Sequence, residues 1–358
     1  MIILDNNDLK AIDFQILFSN NPFFNFLRTY FLDLHCDYYE KYQEEILKLN
    51  IKIQEHIKQV VLSNGSSSQD ALQGIENFVY NLPDIISNYS FKELLLKRKK
   101  QAKNAIIVST GPSLIKQLPL LKKYADKATI FCADSAYPIL AKHNIKPDYV
   151  LSLERIKETS EFFNNNFGDF DKNIVFVLKH LVHKNTFTYL ITKQLKIINI
   201  IDFSPIAHSL KLSHFGYMRM GNSVATMAYF LTLNLDFKNI IFIGQDLAYA
   251  NDGASHPEEY HYGKYDTYNP QEIDYSLTTL AYNGNHCVKT NETWMLFKTQ
   301  IEEAVINAKK FLNITTYNCT EGGARINHTI EKPFKQVCKK LLTKELKKPF
   351  VKLEKLNE

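Results

Sequence analysis

The chain has 358 residues, 45% of them hydrophobic, and a formal charge of +5 at pH 7, enough for a large core in one or two domains. Its five cysteines (Cys36, Cys132, Cys287, Cys319, Cys338) are widely spaced without a C-x-x-C pair, which argues against a disulfide framework or a zinc site and for a reducing cytoplasm. Nine lysines and four glutamates between Glu331 and Glu358 account for the whole surplus, so the basicity belongs to a solvated tail and not to a nucleic-acid surface.

No run approaches the ~18 consecutive apolar residues of a membrane span. The start, "MIILDNNDLK", has neither the basic onset nor the cleavage site of a signal peptide. Residues from about Leu9 to Leu62 read as helical, with apolar residues at three- and four-residue steps. The aromatic cluster "NNPFFNFLRTYF" reads as packing. "SNGSSSQ" reads as a loop, followed by a helical stretch from Asp70 to Ser87 and a basic one ending in "KRKK".

From Ala105 short apolar strands alternate with helix-length segments. "AIIVST", "ATIFCAD", "PDYVLSLE", "NIVFVLK", "LKIINII" and "NIIFIGQD" are the strands, with "SLIKQLPLLKKYA", "SAYPILAKHN" and "NSVATMAYFLTLNL" among the intervening helices. This alternation predicts an α/β fold: a Rossmann-like parallel sheet with helices on both faces, preceded by a helical N-terminal region and followed by a basic C-terminal helix. The expected divisions are 1–100, 101–330 and 331–358. Ligands of such sheets sit beyond the carboxyl ends of the strands, where strand order reverses.

At the first strand end, Gly111, Pro112 and Ser113 form a turn into a helix that the Ser113 hydroxyl can cap and whose free N–H groups suit a phosphate. A helix start without ligand explains the same residues, and the lysine of a Walker loop is missing. Asp134 ends the second strand 23 residues after Gly111, the place where an acidic side chain receives ribose hydroxyls; Ser135 then begins a helix. Glu154 closes the third strand, placed for sugar hydroxyls, a metal or a lysine.

The stretch "GQDLAYANDGASHPEEYHYGK" after the sixth strand is too long and polar for a simple connection. Gln245 and Asp246 stand at the strand end, followed by His256, Tyr260, His261 and Tyr262. Histidine suits removal of a hydroxyl proton near neutral pH, and tyrosine hydroxyls can support a departing phosphate. His256, His261 and Asp246 match no familiar zinc spacing. In "NCTEGGARI", Gly322 and Gly323 let backbone approach a ligand or simply turn the chain.

Five motifs in order, "STGPSL", "CADSAYPIL", "PDYVLSLE", "GQDLAYANDGASHP" and "NCTEGGARI", resemble the central domain of the motility accessory factor (Maf) family over roughly Lys103 to Phe334. Members are flagellin glycosyltransferases. The family is similar to bacterial sialyltransferases that use CMP-activated nonulosonic acids, and it shares a grouping with 6-hydroxymethylpterin pyrophosphokinases of the MptE-like type. The resemblance implies transfer of a pseudaminic or legionaminic acid-type sugar from its CMP donor to Ser or Thr of flagellin, in the cytoplasm, without metal or added cofactor.

On this reading Gly111, Pro112, Ser113, Asp134, Ser135, Glu154, Gln245, Gly322 and Gly323 bind the donor. Asp246, His256, Tyr260 and Tyr262 form the reaction centre, with His256 as general base. Typical members carry more chain on both sides, and "RINHT" lacks the glycine usual after the glycine pair. Three competing expectations are a Mg-dependent pterin pyrophosphokinase using Asp134, Glu154 and Asp246, a sialyltransferase acting on a glycan, and a non-catalytic flagellar assembly factor.

Overall fold

A computed structural model describes residues 30–33, 37–64, 68–202, 205–265 and 277–356. These fall into two compact units, one up to Asp70 and one from Ala71 onward. The first contains the helix Gln43–Asn64, as its amphipathic period predicts; the aromatic cluster lies almost wholly outside the described residues.

The larger unit is built on eleven strands among the described residues: β1 (Tyr89–Ser90), β2 (Asn104–Val108), β3 (Thr129–Ala133), β4 (Tyr149–Ser152), β5 (Val175–Lys179), β6 (Lys196–Ile200), β7 (Asn239–Ile243), β8 (Thr278–Leu280), β9 (Cys287–Lys289), β10 (Thr315–Asn318) and β11 (Ile330–Glu331). Nine form one sheet in the order β1-β6-β5-β4-β3-β2-β7-β10-β11, and every pairing in it is parallel. β8 and β9 make a separate antiparallel hairpin.

Side chains alternate between two cores. Ile106, Val108, Ile130, Cys132, Val150, Phe176, Ile241 and Ile243 point to one, where the helices Ser68–Ser87, Leu114–Tyr124 and Phe334–Leu341 cover the sheet. Ala105, Ile107, Phe131, Leu151, Val175, Val177, Ile240 and Phe242 point to the other, under Phe91–Arg98, Val224–Asn234 and Glu292–Leu312. Burial on both faces is why the strands read as unbroken apolar runs.

Residues 71–100, grouped by sequence with the N-terminal helices, are built into this unit. Tyr89–Ser90 adds an edge strand beside β6, and Phe91 and Leu94 are fully buried against the second core. The basic C-terminal helix is short, Phe334–Leu341. Beyond it, residues 342–356 carry no regular structure: Pro349 cannot continue a helix, and Leu353 is buried against the second core instead.

Candidate active-site crevice

Strand order reverses between β2 and β7: chain-consecutive β3 to β6 extend to one side and β10, β11 to the other. The segments leaving β2 and β7 therefore face each other across a crevice at the carboxyl end of the sheet. A cavity of about 290 Å³ opens there, and its wall includes Gly111, Asp134, Ser135, Glu154, Gln245, Asp246, His256 and Tyr260. Eight of the thirteen residues singled out from the sequence thus converge. Pro112, Ser113, Tyr262, Gly322 and Gly323 do not line it.

Two glycines let the facing turns touch. Gly111 N–H donates to the Gly244 carbonyl at 2.7 Å. A Cβ on Gly111 would stand 2.0 Å from Asp246 Oδ2, and one on Gly244, whose φ is +64°, 2.3 Å from the Ser109 carbonyl oxygen. The space that Gly111 leaves open is filled by a protein carboxylate.

That carboxylate occupies the helix start. Asp246 Oδ2 accepts from Ser113 Oγ at 2.7 Å, and its two oxygens lie 3.3 and 3.4 Å from Ser113 N. Ser113 gives no side-chain cap to its own helix; the hydroxyl expected as a cap holds Asp246 instead. Burial pushes the Asp246 carboxyl up to about 6, against the opposing pull of the Ser113 bonds and of Lys116. Behind it the Asp246 carbonyl accepts from Ala324 N at 2.6 Å, while Tyr282 N donates to Gly323 O and Arg325 N to Leu280 O. The glycine pair therefore clamps the β7 end to the β8–β9 hairpin. Lys116 Nζ reaches Glu321 O at 2.5 Å and fastens the same loop to the helix after β2.

Asp134 is 4% exposed. Its Oδ2 accepts from Ser152 Oγ on β4 at 2.7 Å and its Oδ1 from Ser135 N at 2.7 Å. Burial raises this carboxyl to about 7; the two hydrogen bonds oppose the rise and the charge of Glu154 adds to it. Thr110 Oγ1 and Ser135 Oγ lie 2.8 Å apart, tying the ends of β2 and β3 together. Ser109 Oγ donates to Gln245 Oε1 at 2.5 Å and does the same for β2 and β7.

The long polar loop folds back over the crevice. Ser255 N and His256 N both donate to Lys264 O, at 2.9 and 3.1 Å, and Glu259 meets Lys142 and His143 at 2.9 and 3.0 Å. His256 Nδ1 is 3.0 Å from the Thr110 carbonyl oxygen. A carbonyl can only accept, so Nδ1 carries the proton and, in the neutral ring, Nε2 carries the lone pair. The imidazole stacks on Tyr260 with ring centroids 3.9 Å apart, and Tyr260 packs against Phe162. Tyr262 turns outward and donates to the Glu158 carbonyl at 2.6 Å. His261 packs against Phe162 and Tyr262. Among the described residues no three His, Cys, Asp or Glu side chains form a metal-ligand group.

The wall also includes Ser109, Phe162, Ser223, Val224, Ala225, Trp294 and Phe297, none of which was expected there. Ser223 caps the helix Val224–Asn234, accepting from Thr226 N at 3.1 Å. The signal existed in "GNSVAT", a glycine and a capping serine ahead of an apolar run, but nothing in it said that this helix starts at the crevice.

The fold and the crevice define a doubly wound α/β protein with its site at the sheet's switch point. Residues 76–252 match the model of the family described as 6-hydroxymethylpterin diphosphokinase MptE-like. The Maf glycosyltransferase structure from Magnetospirillum magneticum AMB-1 has the same fold, with a TM-score of 0.57 at 14% identity over 83% of this chain and 43% of that one. Residues 76–252 are thus similar to MptE-like domains and the chain shares the fold of that glycosyltransferase, spanning under half of its length. An uncharacterized protein of Treponema pallidum (strain Nichols) is 36% identical over 50 residues, 14% of this chain and 24% of the relative. Among the described residues no helix is long and apolar enough to cross a membrane.

Proposed function

We propose that the crevice transfers a nonulosonic acid from its CMP-activated donor to a hydroxyl acceptor, a Ser or Thr of flagellin by the resemblance described above. The observation that carries this reading is His256, which is fixed through Nδ1 to the β2 turn and lines the same cavity as Asp134 and the start of the helix Val224–Asn234. In the reaction the acceptor oxygen bonds to the anomeric carbon as the bond from that carbon to the phosphate oxygen breaks. His256 Nε2 takes the hydroxyl proton, and CMP departs with the bonding electrons. Asp134, Ser135 and Glu154 offer acceptors and donors for ribose and sugar hydroxyls. The first turn at Ser223 offers backbone N–H groups without intrahelical partners to an anionic group of the donor. Tyr260, held on the His256 ring, is the tyrosine placed to support the leaving phosphate; Tyr262 is engaged elsewhere. Asp246, bonded to Ser113 behind the turn, acts as a positioning group that joins the β2 and β7 ends.

The test is a transfer assay with the full chain, CMP-nonulosonic acids and flagellin, read by released CMP and by the mass of the acceptor. Sugar-dependent CMP release with a matching mass increase is expected. Donor cleavage without modified flagellin, but with a modified oligosaccharide, would move the acceptor to a glycan; no CMP binding in calorimetry would end the reading. The family match favours a second reading, Mg-dependent diphosphate transfer from ATP to a pterin. It needs Asp134, Glu154 and Asp246 around a cation, whereas Asp246 is bonded to Ser113 behind the turn. Stabilisation by ATP only when Mg²⁺ is present, with no response to CMP, would favour it.

A further inference from the structure

At the amino ends of β3, β4 and β5, on the opposite edge of the sheet from the crevice, lies a second cavity of about 480 Å³. Arg98, Lys122, Lys146, Asp148, Lys348 and Phe350 are in its wall. It has four cationic side chains against two carboxylates, Asp126 and Asp148. Asp148 is already taken by Lys348 Nζ at 2.7 Å.

Arg98 is the unusual member. It is 5% exposed, yet its guanidinium hydrogen bonds go to neutral oxygens: Nε to the Val351 carbonyl at 3.1 Å and Nη1 to the Tyr149 hydroxyl at 3.2 Å. The rings of Tyr149 and Phe350 flank it, with centroids 5.6 and 5.8 Å from the guanidinium carbon. Among the described residues no carboxylate pairs with it and no acceptor meets Nη2. Bracing the C-terminal segment explains the Nε bond only. The charge of Asp148 acts on Arg98 only through space and is shared with Lys348; a buried cation so partly balanced is costly, and the planar fork of arginine matches a phosphate in two-point contact. At the mouth, Lys122 and Lys146 are exposed and likewise bond only carbonyls, those of His143 at 3.0 Å and Asp169 at 3.3 Å.

We propose that this cavity binds a compact phosphate-type anion, with Arg98 as the buried donor and Lys122 and Lys146 closing over it. The anion is inorganic phosphate, diphosphate or the phosphate end of a larger metabolite. The site is separate from the crevice and independent of the activity proposed for it.

The experiment is calorimetry of the full chain with inorganic pyrophosphate at low salt, without Mg²⁺ and with CMP present. One-to-one binding is expected, weakened at least tenfold in the exposed pair Lys122→Ala/Lys146→Ala and in Arg98→Lys, which keeps the charge but loses the fork. To locate the anion, a Trp294→Phe/Phe350→Trp variant should change emission on adding pyrophosphate. Tighter binding of ribose 5-phosphate than of pyrophosphate would assign the phosphate end of a metabolite; the reverse would assign the inorganic ion. Absence of binding at millimolar pyrophosphate, affinity unchanged in the lysine pair, or unchanged emission from the tryptophan-relocated variant would each overturn the proposal.

Discussion

His256 Nδ1 and the Thr110 carbonyl oxygen, 146 positions apart in the chain, lie 3.0 Å from each other. The bond fixes the tautomer of the histidine by the same β2 turn that forms one wall of the crevice. For the proposed transfer, His256→Ala should therefore lower kcat by roughly 10²- to 10⁴-fold, the usual range for losing a general base. CMP affinity should stay within about twofold of wild type, since a base is needed for the proton and not for the nucleotide. Steady-state kinetics with calorimetry checks both; an unchanged kcat removes the residue from the chemistry.

The adjacent glycines of the last loop should respond unequally. A Cβ on Gly322 meets its nearest atom at 3.5 Å, ordinary contact, whereas one on Gly323 would fall 2.3 Å from the Asp246 carbonyl oxygen, on a residue with φ of +68°. Gly322→Ala should leave the melting temperature nearly unchanged. Gly323→Ala combines a backbone clash with left-handed strain and should destabilise by about 2 kcal/mol or more. Thermal unfolding of the two variants side by side is the measurement, and equal effects would contradict the geometry.

Burial holds Asp134 up to about 7 and Asp246 up to about 6. Between about pH 4 and these values the unfolded chain has lost the protons that the native state keeps. Their stabilising contribution is thus complete below about pH 4 and disappears as pH rises to about 7. Asp134→Asn cannot titrate and adds only a pH-independent cost for one mismatched donor. Relative to wild type, its stability should improve by an amount of the order of a few kcal/mol between pH 4 and pH 8. Denaturant unfolding at several pH values tests this; a constant difference would place Asp134 in solvent.

Trp294, the single tryptophan of the chain, lines the crevice beside Phe297. Occupancy by CMP should change its emission, with a midpoint that matches the calorimetric Kd, and Trp294→Phe should abolish the signal while the heat of binding persists. A silent tryptophan together with measurable heat would put CMP elsewhere.

The larger unit's sheet was legible because the strands are buried on both faces. Six runs such as "AIIVST" and "NIIFIGQD" could be nothing else once helices of regular length separated them, and their ends named Asp134, Glu154, Gln245 and Asp246 by position. The edge strand Tyr89–Ser90 was not legible, since two residues carry no period and their role depends on pairing with β6.

Local chemistry along the chain determined which residues stand at strand ends, which helices could be capped and where glycine must turn the backbone. Partnership was decided only in three dimensions. Ser113 looked like a cap and holds Asp246 instead; Tyr262 shares a loop with Tyr260 but points to Glu158; Ser223 and Trp294 join a site that no local pattern reveals. A hydrogen bond between side chains 133 positions apart depends on strand order, and strand order arises from how the crossovers pack on both faces of the sheet, a global property that no short window of sequence contains.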